Sequence, residues 1–229
     1  MRRAVLAATI AVATLWAPPC ALEAQWYSRL GHHGYVTYPS LAEGGVTLSA
    51  HYARGLSEDS YRTNQLEGRV ELASEAFGIW GGLGWLKPSN DLVSQGGSQI
   101  GINGGAGVHL LRRSFQLSLQ IGLGYLSKED QTSLRVPGGP CFAFRFKDGN
   151  STVRPWIMPY IQIQDVNDGS SSRQEGGVGT SGGIEWRLPS GLGFSVALEW
   201  SWTDLGDIGY AGGDQSMLFV GFGISYQMD

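Results

Sequence analysis

The residues able to do chemistry in this chain come at alternate positions. In the stretch QLEGRVELA, Glu67, Arg69 and Glu71 alternate with Leu66, Gly68, Val70 and Leu72, so a strand would present the charges on one face and the apolar residues on the other. The same parity collects His51, Asn103, His109, Gln116, Gln120, Arg135, Arg145, Arg154, Gln162, Gln164, Glu185, Arg187 and Glu199 on that polar face. Arg and Glu occur there in comparable numbers. Charges buried without partners are costly, so the expected chemistry is mutual pairing in an enclosed interior. A charged lining that selects small solutes is the alternative.

Hydrolysis would need a nucleophile or activated water beside a base. His51 is the best candidate base, with Asp214, Glu58 or Asp59 as acids able to approach it, whereas His109 falls at the opposite end of the enclosed space. No residue is assigned a catalytic, cofactor-binding or metal-binding role on this pattern. No Cys/His spacing of the structural-zinc kind is present, and the pair His32 and His33 is read as part of a polar tail. A formal net charge of -4 gives no basic footprint for nucleic acid. GIWGGLG and GINGGAG carry glycine spacings like those of phosphate-binding loops, yet no helix pattern follows either of them.

Ten segments must position these side chains, over residues 44–54, 65–73, 76–86, 98–110, 114–126, 133–146, 153–166, 175–187, 191–203 and 215–227. Even spacing argues for an all-β fold. Pro137 and Pro140 interrupt the sixth segment, and Pro155 and Pro159 the seventh; if both fail as strands, eight remain. The connections alternate long and short, which in an up-and-down antiparallel barrel gathers every long loop at one end. Those long loops are acid-rich, with Glu58, Asp59, Asp91, Glu129, Asp130, Asp168, Asp204, Asp207 and Asp214 against Arg62, Lys87, Lys128 and Arg173. Such charge keeps loops solvated; bridging by divalent cations to lipopolysaccharide phosphates is the sharper alternative.

Alternation alone does not say which face lies outside. Only 16% of the residues are charged, against about 25% in typical soluble domains. The lysines, Lys87, Lys128 and Lys147, all fall in connections, and Trp85, Phe115, Tyr125, Trp186, Trp200, Trp202 and Tyr226 gather near strand ends, where aromatic rings favour the headgroup level. Hydrocarbon is therefore the expected partner of the apolar face. Glycines on the other face would relieve crowding in a narrow interior. Arg2 and Arg3, the apolar run from Ala4 to Ala17 and the small residues before Gln25 have the layout of a signal peptide. The expected division is 1–24 signal peptide, 25–43 a periplasmic segment or partial plug, and 44–229 the barrel. Cys141 would then be the only cysteine of the exported chain, so no internal disulfide is available.

The final stretch, SMLFVGFGISYQMD, sets Gly221, Ile224 and Tyr226 in the order Gly, two residues, apolar, any residue, aromatic. It resembles the C-terminal assembly signal of bacterial outer-membrane β-barrels, and the alternation of the whole exported chain resembles the small OmpA/OmpX-type or OmpW-like barrels. In those the chain usually ends on the aromatic residue, whereas Gln227, Met228 and Asp229 follow here. The resemblance implies insertion by the barrel-assembly machinery, outer-membrane lipid and lipopolysaccharide as surroundings, a monomer and no cofactor. Some barrels of this size are proteases or lipid A-modifying acyl hydrolases; the Asp-any-His motif of the omptin proteases is absent. The expected function is a non-enzymatic barrel with a side-chain-filled lumen that serves envelope integrity or surface contact through its loops. A narrow passive pore and a rim hydrolase using His51 are the alternatives.

Overall fold

The computed structural model describes residues 39–42, 44–57, 63–87, 98–128, 131–167, 172–204 and 215–228. The expected signal peptide, most of segment 25–43 with His32 and His33, and the loop acids Glu58, Asp59, Asp91, Glu129, Asp130, Asp168, Asp207 and Asp214 lie outside those residues. The strands are β1 (Gly45–Gly55), β2 (Asn64–Ala73), β3 (Phe77–Lys87), β4 (Gln99–Arg112), β5 (Phe115–Lys128), β6 (Gln131–Phe144), β7 (Phe146–Asp148), β8 (Ser151–Asn167), β9 (Ser172–Arg187), β10 (Leu192–Asp204) and β11 (Gln215–Met228). Each pairs antiparallel with its neighbours. β1 pairs with both β2 and β11, and β6 pairs with β8, so the sheet closes on itself. The three-residue β7 pairs only with the start of β8, which leaves ten strands in a closed up-and-down barrel, the architecture that the resemblance implies.

The prolines do not reduce that number. Around Pro137 the β5 and β6 pairing passes from Ile121↔Gly138 to Gly124↔Arg135 without a change of register. Between β6 and β8 it passes from Gly138↔Ile161 to Phe142↔Ile157, again in register, so Pro140 stands opposite Pro159 inside the interruption. Proline lacks the N–H that a ladder needs, and here its cost is a local gap in bonding rather than the end of a strand. The strands still approach closely there: a Cβ on Gly139 would collide with the Pro159 carbonyl. By contrast, β8 and β9 pair continuously from Thr152↔Arg187 to Asn167↔Ser172.

Tight turns close one end of the barrel. Between β2 and β3 the Ser74 amide donates to the Phe77 carbonyl at 2.7 Å, and the Ser74 hydroxyl accepts from the Phe77 amide at 3.2 Å. Between β9 and β10 the turn needs a left-handed residue, supplied by Gly191 at φ +84°. This end is called the turn end below, and the other the loop end.

Alternation is visible in burial. On β5, Leu119, Ile121, Leu123 and Tyr125 are exposed on the outside, while Gln116, Ser118 and Gln120 are buried within. Ile100 and Ile161 are both 69% exposed, and the same outward apolar belt runs round every wall strand. Water does not favour such a surface, but bilayer hydrocarbon does, and closure satisfies the backbone that hydrocarbon cannot hydrate. The interior is the reverse: Glu67, Arg69, Glu71, Arg135, Arg154, Glu185 and Glu199 are buried, and a smaller apolar cluster of Cys141, Trp156, Met158, Tyr160, Met217 and Phe219 sits among them.

Candidate functional site in the barrel lumen

The loop-end half of the lumen is organised around one guanidinium. Arg135, on β6, donates from Nε to Gln162 Oε1 at 2.6 Å and from an Nη atom to the Tyr160 hydroxyl at 2.8 Å. The same nitrogen pairs with Glu199 Oε1 of β10 at 2.8 Å, and the Tyr160 hydroxyl donates to that carboxylate at 2.7 Å. Gln162 continues the chain by donating to the Thr203 hydroxyl at 2.9 Å. Arg135 also lies over the Tyr160 ring, 5.5 Å from its centroid. Strands β6, β8 and β10 are thereby tied across the interior by side chains of the wall.

The turn-end half carries two further charge groups. Arg69 pairs with Glu71 at 3.1 Å and lies 4.5 Å from the centre of the Trp80 ring. Glu185 receives Arg154 at 3.3 Å and also pairs with Arg187. Nearer the loop end, Glu67 takes a hydrogen bond from Asn103. Between these groups lie residues 39–42, which precede β1 and fold back inside the barrel; Ser40 and Ala42 are 0% and 2% exposed. Gln120 grips Ser40 at two points, accepting its amide at 2.7 Å and donating to its carbonyl at 3.2 Å. Glu71 accepts from the Ser40 hydroxyl and, at 3.4 Å, from the Ala42 amide. Arg154 donates to the Leu41 carbonyl and Arg112 to the Ala42 carbonyl. Leu41 packs against the apolar lumen cluster. The reversal into β1 uses Gly45 at φ +75°, and Gln227 of β11 donates to the Gly44 carbonyl at 2.9 Å.

Glycines make room for the larger inward rings. Trp80 stands directly opposite Gly105, Tyr160 opposite Gly179 and His51 opposite Gly223. A Cβ on any of the three glycines would collide with the ring it faces. Ser40 is seated the same way, over Gly78.

Of the residues the sequence placed in a lumen network, Arg69 and Glu71, Arg135 and Glu199, and Arg154, Glu185 and Arg187 are brought together in these groups. Arg145 lies in the break between β6 and β7, where its amide donates to the Ser114 carbonyl at 2.7 Å. His51 lies in the middle of β1, paired with Glu67 and Gly223 rather than at the rim. In the assembly motif, Gly221 faces inward, and Ile224 and Tyr226 face outward. Among the described residues no group of His, Cys, Asp and Glu could hold a metal ion. Sequence reasoning omitted Trp80, Trp156, Tyr160 and Met158 from the lumen. Trp156, Met158 and Tyr160 share the parity of Arg154, Gln162 and Gln164 on β8, so alternation could have found them, whereas β3 offers only glycines and Leu86 in the parity of Trp80.

The sequence matches no protein-family model and no curated protein. Among solved structures, the chain is similar to a bacterial polysaccharide outer membrane secretin, with 8% identity and a TM-score of 0.44 over 81% of this chain and 66% of that one. This chain thus spans about two thirds of that length. It is similar to the β domain of the Bordetella autotransporter BrkA, with 13% identity and a TM-score of 0.49 over 82% of this chain and 100% of that one. Neisserial surface protein A is similar at 10% identity and a TM-score of 0.39, over 80% of this chain and 96% of that one.

Proposed function

We propose that this protein is a non-enzymatic barrel of the bacterial outer membrane with a closed lumen, serving envelope integrity or surface contact through its loop end. The observation that carries the reading is the lumen filling. The Arg135, Tyr160 and Glu199 group crosses one half, while residues 39–42 with Glu71, Gln120, Arg112 and Arg154 occupy the other. A barrel of about eight strands has an interior just wide enough for side chains, and ten strands widen it modestly. The apolar belt supports residence in a bilayer, with lipid and lipopolysaccharide as its surroundings, the barrel-assembly machinery as its route and a monomer as its form. In this reading the chain is exported by a cleaved signal peptide and inserts with the turn end toward the periplasm and the acid-rich loops outside.

The test is conductance in planar bilayers. Purified protein of the native sequence should pass essentially no current at physiological salt. Discrete, reproducible openings would overturn the closed lumen in favour of a narrow pore, and altered ion selectivity in Arg135→Gln would then identify its filter.

A further inference from the structure

Five hydrogen bonds that hold residues 40–42 at the turn end go to the main chain, and one goes to the Ser40 hydroxyl. Gln120 reads both the amide and the carbonyl of Ser40, Glu71 reads the Ala42 amide, and Arg154 and Arg112 read the Leu41 and Ala42 carbonyls. An extended peptide of any sequence offers these groups. The side chains set a second requirement, because Ser40 and Ala42 are enclosed at 0% and 2% exposure and leave no space for larger residues. Leu41 lies against an apolar surface formed by the lumen cluster. The wall supplies a carboxylate for the small hydroxyl of the first residue, and at that point it is itself stripped of side chain by Gly78.

We infer that the turn end of the lumen is a peptide-binding site. It reads an extended small-apolar-small tripeptide through its backbone, and residues 40–42 are its tethered and exchangeable ligand. The inference deepens the closed-lumen reading, since the occupant is part of what closes the barrel. Its class of ligand is an extended peptide with a small hydroxyl residue, an apolar residue and a small residue in that order. Attached to β1 through a short glycine connection, the native segment competes at an effective concentration on the order of millimolar. A free peptide must therefore be present at several millimolar to displace it.

The experiment uses the full chain with Ser40→Cys and Gly78→Cys in a Cys20→Ala, Cys141→Ala background, folded in detergent and checked for heat-modifiable mobility. A Cβ at Gly78 would stand 3.3 Å from that of Ser40, close to the usual Cβ separation of about 3.5 to 4.5 Å in disulfides. Oxidation should cross-link the folded protein nearly completely. A synthetic peptide spanning residues 37–43 should slow cross-linking several-fold, whereas the same peptide with leucine in place of Ser40 and Ala42 should not. Folded protein that fails to cross-link would overturn the seating of the segment. A rate unchanged by the native peptide would make residues 40–42 a fixed part of the wall, and equal slowing by the leucine peptide would reduce the effect to non-specific adsorption; either result overturns the site. Current measured on the same preparation reports separately on the closed lumen, because a barrel that cross-links and still conducts would sink that reading alone.

Discussion

At the loop end of the lumen, Arg135 meets Gln162 on the adjacent strand and Glu199 across the interior, both part of the wall; at the turn end, Arg154, Arg112 and Gln120 donate hydrogen bonds to residues 40–42 and Glu71 accepts one from them. The first half is complete once the barrel has closed. The second is complete only when a piece of chain from outside the wall has been seated in it. Two neighbouring stretches of one narrow interior thus solve the same problem, the burial of polar groups, with a fixed partner in one case and a removable one in the other. The consequence is a division of roles, in which loop-end side chains tie wall to wall, while turn-end side chains such as Arg154 and Glu71 pair along the wall and also hold the occupant.

That division makes unequal predictions. Glu199→Ala should have the largest effect, because it leaves Arg135 buried without its carboxylate; losing one partner of a buried pair costs about 3 to 5 kcal/mol, to be read as a fall in the urea midpoint of the folded barrel. Should Glu199→Ala unfold at the wild-type midpoint, the loop-end group would not be holding the strands. Gly179→Ala comes next. Its methyl group would drive the Tyr160 ring from its place, and overpacking of this kind costs about 1 to 3 kcal/mol; the same urea titration should place it between wild type and Glu199→Ala. Gln120→Leu should have the smallest effect on global stability, about 1 kcal/mol for lost hydrogen bonds. Hydrogen exchange at the Ser40 and Ala42 amides should nevertheless accelerate at least several-fold, while exchange in β10 stays unchanged. Equal acceleration in both places would erase the distinction between the two halves.

Strand number, order and facing were legible in the sequence because the outward face answers to a uniform solvent. Hydrocarbon demands an apolar residue at nearly every outward position, so segments such as residues 114–126 carry a long, unbroken signal, and the observed β5 departs from it only at its ends. The lumen has no uniform solvent, and its chemistry depends on register. That Tyr160 meets Gly179, or Trp80 meets Gly105, follows from which residue stands opposite which across two strands, and nothing in either strand alone announces it. The prolines kept eight strands open as the alternative to ten for the same reason: nothing in either strand alone says that the register sets Pro140 opposite Pro159 in one shared interruption. Residues 39–42 have no periodicity to read at all; their place is visible only through the side chains that reach them.

The interruption between β6 and β8 has a mechanical meaning. A closed barrel is a hoop, and its resistance to changes in cross-section is set by its least bonded seam. Residues 139–141 and 158–160 face each other without ladder pairing, in a region where hydrocarbon supplies no water to take the place of the missing bonds. Lateral pressure from the bilayer is therefore borne unevenly. The continuous seams resist it with unbroken ladders, and the proline pair marks the line where the hoop has fewest bonds to resist with.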